Sequence, residues 1–429
     1  MTRSTVGPFD GQTPALPAGR IHLIGIGGAG MSAVAELLRG QGRDVSGTDR
    51  EPSATLARLR ALGVDARSPH DPGLVDGAGS VVRSTAIRPD NPELVRAAEL
   101  GLAVVHRSEA LAALTARGVV VAVSGTHGKT TVTAMTAAAL EAAGLDPTYA
   151  IGASTVRTGS GAKTGAGGIA VIEADESDGS FLAYAPDVAV IANVEPDHLD
   201  HYGSPEAVEA AFAAFARRVK PGGVLIACAD DPGAARVAAR ARAEGQAATT
   251  YGFAPAADVR IESVDDGGAT ERDMEPAGFA QVFVIAAPAL GPVGVRLGRP
   301  VAPGGDTVPG RPAFGRVRVR LALPGRHNAL NATAALLAAL AGAERLSAPK
   351  PLSAIVRGLE TFAGTHRRFE WRGQARGVRV YDDYAHLPTE VEATLTAARQ
   401  LAGPGRVFAA FQPHLYSRTQ AFAADFAAA

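Results

Sequence analysis

The sequence predicts an α/β protein of three units, and three observations carry that reading. From Ile21 onward, short apolar runs alternate with helical stretches, as they do in parallel sheets flanked by helices. Two glycine-rich turns, "GIGGAG" at 25–30 and "SGTHGKTT" at 124–131, each lie between an apolar run and a helical stretch. A doubly wound sheet binds phosphate at such turns. At 429 residues the chain is long enough for two or three separate cores.

After a loose leader over 1–20, "IHLIGI" reads as a strand, Met31 to Arg39 as a helix and "RDVSGTD" as a strand ending at Asp49. In "ATLARLRALG", Leu56, Leu59 and Leu62 fall at helical spacing, and "SVVRST" is a further strand. These define a Rossmann-like first unit over 21–116. The second unit, 117–364, starts with the buried-strand run Val119 to Val123 and a helix from Thr130 to Ala143 stopped by Gly144. Its further strands are "GIAVIEAD", "VAVIANV" and "GGVLIACAD". Ser204 is placed to cap a helix with Pro205 at its first position, and Val208, Phe212, Phe215 and Val219 form its apolar stripe.

From Thr249 to about Leu323 the pattern weakens to β alternation, and the Pro/Gly-rich stretch 286–314 is expected to be a mobile loop. A helix follows at "HNALNATAALLAALAGA". The third unit, 365–429, is expected to be Rossmann-like, with "RVYDDYA" and "RVFAAFQP" as strands. Its roughly 65 residues are few for such a domain, so the reading is of an incomplete one.

Net charge is −1 with 20% charged residues, which gives no bulk field to draw nucleic acid or an anionic membrane. Any phosphate must be held by local loops. Cys228 is the only cysteine, no apolar run has spanning length, and a soluble cytoplasmic protein is expected.

"SGTHGKTT" carries the most chemistry. Gly125 and Gly128 let backbone N–H groups approach a polyphosphate at a helix N-terminus. Lys129 would reach the β/γ-phosphates and the Thr130 hydroxyl would face Mg²⁺. Val123 stands where a full Walker A sequence has glycine. A chance Gly-Lys-Thr turn is the bland alternative, and an NTP site the better one. Glu173, Asp197 and His198 follow strands whose ends share the loop's edge of the sheet. Asp175, Glu176 and Asp178 read mostly as a solvated acidic loop, and His198 equally as a capping residue or a ligand. Arg326, His327 and Asn328 stand at a helix start. Arg367, Arg368, Asp383, Tyr384, His386, His414 and Arg418 crowd into about fifty residues, which suggests a site for anionic groups.

In order, "GIGGAGMS", "SGTHGKTT", "EADESDGSF", "NVEPDHLDHY", "PGRHNALNA", "RRFE", "YDDYAH" and "FQPHLYSRT" resemble the motifs of the Mur ligase family, from about Ile21 to Thr419. The resemblance implies a UDP-sugar domain, a central ATPase and a third domain that closes on the amino acid. It implies ATP and Mg²⁺ as cofactors, and joining of L-alanine to the lactyl carboxylate of UDP-N-acetylmuramate through an acyl phosphate. Carried over by motif, Gly125, Thr126, His127, Gly128, Lys129, Thr130 and Thr131 hold ATP phosphates, and Thr130, Glu173 and His198 surround the metal. Asn328 would meet adenine, Asp383 the ribose and Arg368 the phosphates; Lys129, His198 and Arg368 would be catalytic. Gly28, Ala29, Gly30, Met31 and Ser32 would cradle the UDP diphosphate, with Asp49 and His70 nearer the nucleoside. Tyr384, His414 and Arg418 would place L-alanine. The family's "YGHHPTE" is "YAHLPTE" here, so Leu387 removes one imidazole. Ligation of a murein tripeptide is the alternative within the family. From other classes, an NAD-dependent dehydrogenase would explain Gly25, Gly27, Gly30 and Asp49 but leaves Lys129, Glu173 and His198 idle. A non-enzymatic P-loop binding protein leaves the late Arg/His clusters idle.

Overall fold

The structure, a computed structural model, describes residues 16–265, 281–288, 314–348 and 350–429. Residues 1–15 of the expected leader and 289–313 of the expected loop lie outside them.

The first unit is a parallel five-stranded sheet. Its strands are β1 (Arg20–Ile24), β2 (Val45–Thr48), β3 (Asp65–Arg67), β4 (Ala78–Arg83) and β5 (Ala103–His106), in the order β3-β2-β1-β4-β5. Helices α1 (Ala29–Gly40), α2 (Ala54–Ala61), α3 (Pro92–Glu99) and α4 (Arg107–Thr115) complete it. The strand order reverses between β1 and β4, which opens a crevice at the strands' C-terminal edge. The turn 25–28 sits there.

The second unit is built on β6 (Val119–Ser124), followed by α5 (Lys129–Ala142). Next come β7 (Thr148–Ala150), β8 (Ala162–Lys163), β9 (Ile169–Glu173) and β10 (Val188–Ile191). Helices α6 (Leu199–Tyr202) and α7 (Pro205–Ala216) precede β11 (Val224–Cys228), then α8 (Pro232–Ala243) and β12 (Ala248–Gly252). The weak β alternation becomes β13 (Val259–Asp265), parallel to β12, then β14 (Gln281–Pro288) and β15 (Phe314–Leu321), which extend the same sheet antiparallel. Among the described residues ten strands result, ordered β15-β14-β13-β12-β11-β10-β6-β9-β7-β8. The Ser204 hydroxyl accepts the Ala207 N–H, as the capping signal predicts. Helices α9 (Arg326–Arg345) and α10 (Leu352–Glu360) close the unit. The alanine-rich face of α9 is buried against α5 and the sheet, so small side chains let the helices come close.

The third unit holds an antiparallel pair, β16 (Glu370–Ala375) and β17 (Val378–Asp382). Helices α11 (Pro388–Ala402), α12 (Tyr416–Ala421) and α13 (Ala423–Ala428) follow. The strand expected at "RVFAAFQP" does not form: residues 406–413 have no ladder partner among the described residues. Phe408 is 81% exposed. With β17 and α11, residues 405–411 line an open cleft of about 590 Å³.

One apolar core runs through the first two units, from Ile21 and Leu38 to Val190 and Leu337. A strap over 152–164 ties the units together. Ser160 donates to Glu36 on α1 at 2.7 Å, and Gly152 N–H donates to Glu173 at 2.6 Å. Val156 N–H donates to the Gly364 carbonyl and His366 N–H to that of Ser154, at the start of the third unit.

Candidate active site

The C-terminal ends of β6, β9 and β10 converge on one edge, as parallel neighbours must. After β6 the backbone turns through Gly125 (φ +144°) and Gly128 (φ +79°). A Cβ on Gly125 would stand 3.0–3.2 Å from Ala192 and Asn193, so glycine is required for both space and conformation. The loop is fixed to the β10 end. His127 N–H donates to Asn193 Oδ1 at 2.8 Å, and Glu195 N–H to Thr126 Oγ1 at 2.9 Å. The first-turn N–H groups of α5, at Lys129, Thr130 and Thr131, have no carbonyl of their own helix to meet and suit an anion.

Lys129 folds back over this loop. Its Nζ donates to the carbonyls of Gly125 (2.6 Å) and Thr126 (3.2 Å) and to Glu176 Oε1 (2.8 Å). Burial pushes the Glu176 carboxyl up to about 8, against the pull of Lys129 and with Asp175 adding to the rise. Thr130 Oγ1 donates to Glu173 Oε1 at 3.0 Å. His198, at φ +52°, stands beside Asp197 at 3.3 Å. Burial holds its imidazole below the ordinary value, with Lys129 pushing the same way.

The expected solvated acidic loop is not solvated. Despite burial, Lys129 and Arg107 hold Asp175 below the usual carboxylate range; Glu176 is 3% exposed; and Asp178 accepts from Thr85 and Ser180. Asp175 and Asp178 keep their charge because Arg107, Lys129 and Thr85 reach them from other elements, whereas burial favours the protonated form of Glu176.

The glycine turn of the first unit faces this edge. Gly27 N–H donates to Asp49 Oδ2 at 2.8 Å, so the acidic residue braces the loop. Met31 and Ser32 are buried, and the Ser32 hydroxyl donates to the Ala29 carbonyl; toward a ligand they can offer only backbone. His70 contacts Thr48 at 2.7 Å. Arg107 opens α4 beside Gly30 and donates to Asp175 at 3.2 Å, linking the two units. A cleft of about 470 Å³ is lined from one side by Ala29, Gly30 and Arg107 and from the other by Lys129, Glu173 and His198. Both glycine turns therefore open on one space.

A second cavity, about 300 Å³, adjoins Gly128 and Thr131 and is lined by His327, Asn328, Arg368 and Asp383. Asn328 Nδ2 donates to the Pro324 carbonyl at 2.7 Å. Asp383 accepts the N–H groups of Phe369 (2.6 Å) and Ala385 (2.7 Å), and burial raises its carboxyl. Tyr384 lines the first cleft under the guanidinium of Arg367, 4.3 Å from the ring centre. Arg418 is buried on Asp197, with His414 Nδ1 3.3 Å from its Nη1. Leu387, in place of an imidazole, is buried at the start of α11.

Residues 20–118, 123–276 and 367–429 match, in turn, the Mur ligase family catalytic domain, the Mur ligase middle domain and the Mur ligase glutamate ligase domain. The chain is 52% identical over 412 residues to a UDP-N-acetylmuramate--L-alanine ligase of Kineococcus radiotolerans, covering 95% of this chain and 78% of that one. The chain belongs to the Mur ligase family. This Mur ligase is thus an ATP-dependent, amide-forming ligase, and the dehydrogenase and binding-protein readings fall. It is also 49% identical to the corresponding ligase of Renibacterium salmoninarum, over 96% of this chain and 79% of the relative. Among solved structures, the UDP-N-acetylmuramate-alanine ligase of Thermotoga maritima matches with a TM-score of 0.73 and 28% identity, over 94% of this chain and 83% of that one.

Arg107, Glu176, Asn193 and Glu195 were not among the residues picked out as this Mur ligase's site. Each stands at a strand's C-terminal edge, the one positional signal that could have found them.

Proposed function

We propose that this Mur ligase joins L-alanine to the lactyl carboxylate of UDP-N-acetylmuramate, with ATP converted to ADP and phosphate. The observation that carries the reading is the single cleft on which both phosphate loops open. The likeness to alanine-adding relatives supports it. Ranges 21–116, 117–364 and 365–429 would serve as UDP-sugar, ATP and amino-acid domains.

A carboxylate does not accept an amine until it is activated. A lactyl oxygen attacks the γ-phosphorus and ADP leaves, giving an acyl phosphate. The alanine nitrogen then adds to the carbonyl carbon, and the tetrahedral adduct expels inorganic phosphate as the nitrogen sheds a proton. Phosphoryl transfer asks mainly for positioning and charge neutralisation. Lys129 supplies a cation at the loop, and Arg368, shared between the cleft and the adjoining cavity, a second. Asn328 and Asp383 would hold adenosine; Tyr384 and His414, steadied by Arg418, would receive the amino acid.

Magnesium fits the donors. No group of three or more His, Cys, Asp or Glu able to hold a metal occurs among the described residues. The Thr130 hydroxyl and Glu173 carboxylate are nevertheless hard oxygen donors in contact, with His198 in the same cleft. Mg²⁺ favours such a partial set, completed by phosphate oxygens and water. Bound there, it would neutralise phosphate charge. No helix among the described residues is long and apolar enough to cross a membrane. The lone buried Cys228 supports a cytoplasmic setting, and the net charge of −1 a protein without nucleic-acid partners.

The test is phosphate release from ATP by the full chain, which should require UDP-N-acetylmuramate and L-alanine together. Release supported by the murein tripeptide and not by L-alanine overturns the assignment.

A further inference from the structure

A buried polar chain in the first unit has no part in the phosphoryl chemistry. His22 on β1, Thr48 on β2 and Glu93 on α3 are each 0% exposed. Burying a carboxylate is costly unless donors surround it, and here they do. Glu93 Oε1 accepts the Asp71 N–H at 2.9 Å, and Oε2 accepts the Thr48 hydroxyl at 2.6 Å. His22 Nε2 faces Oε2 at 3.3 Å, while His22 Nδ1 meets the Ser46 hydroxyl at 3.0 Å. Against burial, these hydrogen bonds hold Glu93 below the usual carboxylate range.

The proton count then decides His70. A hydroxyl has one proton, and that of Thr48 is directed at Glu93. Toward His70 Nδ1, 2.7 Å away, Thr48 can only accept. The other neighbour of Nδ1 is Glu93 Oε2 at 3.5 Å, also an acceptor. Nδ1 therefore bears the proton, and Nε2 of the neutral ring is a bare lone pair. His70 is partly exposed, with 20% of its side chain open, and it follows β3 at the sheet's ligand-binding edge. Thr48 directly precedes Asp49, which braces the diphosphate loop. A nucleoside attached to a diphosphate on that loop can reach this edge.

We propose that Glu93 and Thr48 are positioning residues that lock His70 in its Nδ1–H form, so that Nε2 accepts the N3–H of uracil and the site refuses cytosine. The inference rests on the UDP reading of the first unit. Uracil N3 carries a proton; cytosine N3 carries a lone pair, which would face the lone pair of Nε2. A single mismatched polar contact of this kind is worth about tenfold or more in affinity.

Two measurements on the full chain test it. Histidine ¹⁵N NMR without ligand should show His70 in the Nδ1–H form in the wild type, and a shift toward Nε2–H in Thr48→Val. Calorimetry should show wild type preferring UDP to CDP by at least about tenfold. That ratio should fall to near unity in Thr48→Val and be kept in Thr48→Ser, with KM for ATP unchanged in both. An Nε2–H ring in the wild type overturns the proposal. So does a UDP:CDP ratio preserved in Thr48→Val after the ring has switched form. If the wild type binds ATP but neither UDP nor CDP, the UDP reading itself fails, and the ligand-free ring signal separates that result from the others.

Discussion

Arg418 and Asp197 are 221 residues apart in the chain and share a buried bidentate ion pair, with Nη2 2.7 Å from Oδ1 and 3.0 Å from Oδ2. Arg418 Nε adds a third bond at 3.2 Å. The pair fastens α12 of the third unit to the edge that carries His198. Against burial, Arg418 holds the Asp197 carboxyl below its ordinary range. Arg418→Ala leaves Asp197 buried without a countercharge, and we expect a loss of about 3–5 kcal/mol. Urea unfolding measures it; a loss below about 1 kcal/mol would show that water replaces the guanidinium freely.

Glu176 predicts a pH effect on ATP binding. Its carboxyl, pushed up to about 8 by burial, is largely protonated at neutral pH and ionises above that. Once ionised, it competes with the phosphates for Lys129. KM for ATP should be flat from about pH 6.5 to 7.5 and rise above about 8, by up to tenfold per pH unit. Glu176→Gln should abolish the rise. A rise of the same size in the variant would place the titrating group elsewhere.

Glu173 predicts the metal requirement. Glu173→Gln keeps the shape and weakens the hard-oxygen set it forms with Thr130. Half-maximal phosphate release should then need about 10- to 100-fold more Mg²⁺, with UDP-sugar affinity unchanged. Titration with Mg²⁺ decides; an unaltered requirement removes Glu173 from the metal site.

His327 predicts acid sensitivity. Burial pushes its imidazole down to about 4, whereas the unfolded chain takes up a proton near 6.5. Between those values the unfolded state binds the proton and the folded state does not, so stability falls as pH drops from 6.5 to 4. The full loss is about 3 kcal/mol. Urea midpoints at pH 7.5 and 4.5 should differ less in His327→Gln than in wild type. Equal differences would mean that the ring is protonated in the folded state.

Local signals made much of this legible. The Gly125–Thr130 turn, the Ser204 cap and the strands at Val119, Ile169, Val188 and Val224 follow from short-range pattern, and the structure has them in place. Parallel pairing then brings Lys129, Glu173 and His198 to one edge, so their meeting was legible too. Asp175 and Glu176 were not. Their acidic run looks solvated until Arg107 and Lys129 arrive from α4 and α5, and no local pattern encodes that. The strand expected at 406–413 has strand-like composition, but a strand also needs a neighbour's edge, which composition does not supply. Glu93 has no sequence signal that singles it out; only the fold brings it to Thr48.

The cleft meets its substrates with its cations already engaged. Arg107 leans on Asp175, and Lys129 on Glu176, where the proposed function seats two polyanionic nucleotides. Binding is therefore an exchange of partners. At Arg107 a phosphate takes the place of the Asp175 carboxylate, and at Lys129 that of the Glu176 carboxyl, which is largely protonated at neutral pH. The displaced carboxyl groups stay on the protein while the phosphates add their own charge, so occupancy should weaken as ionic strength rises.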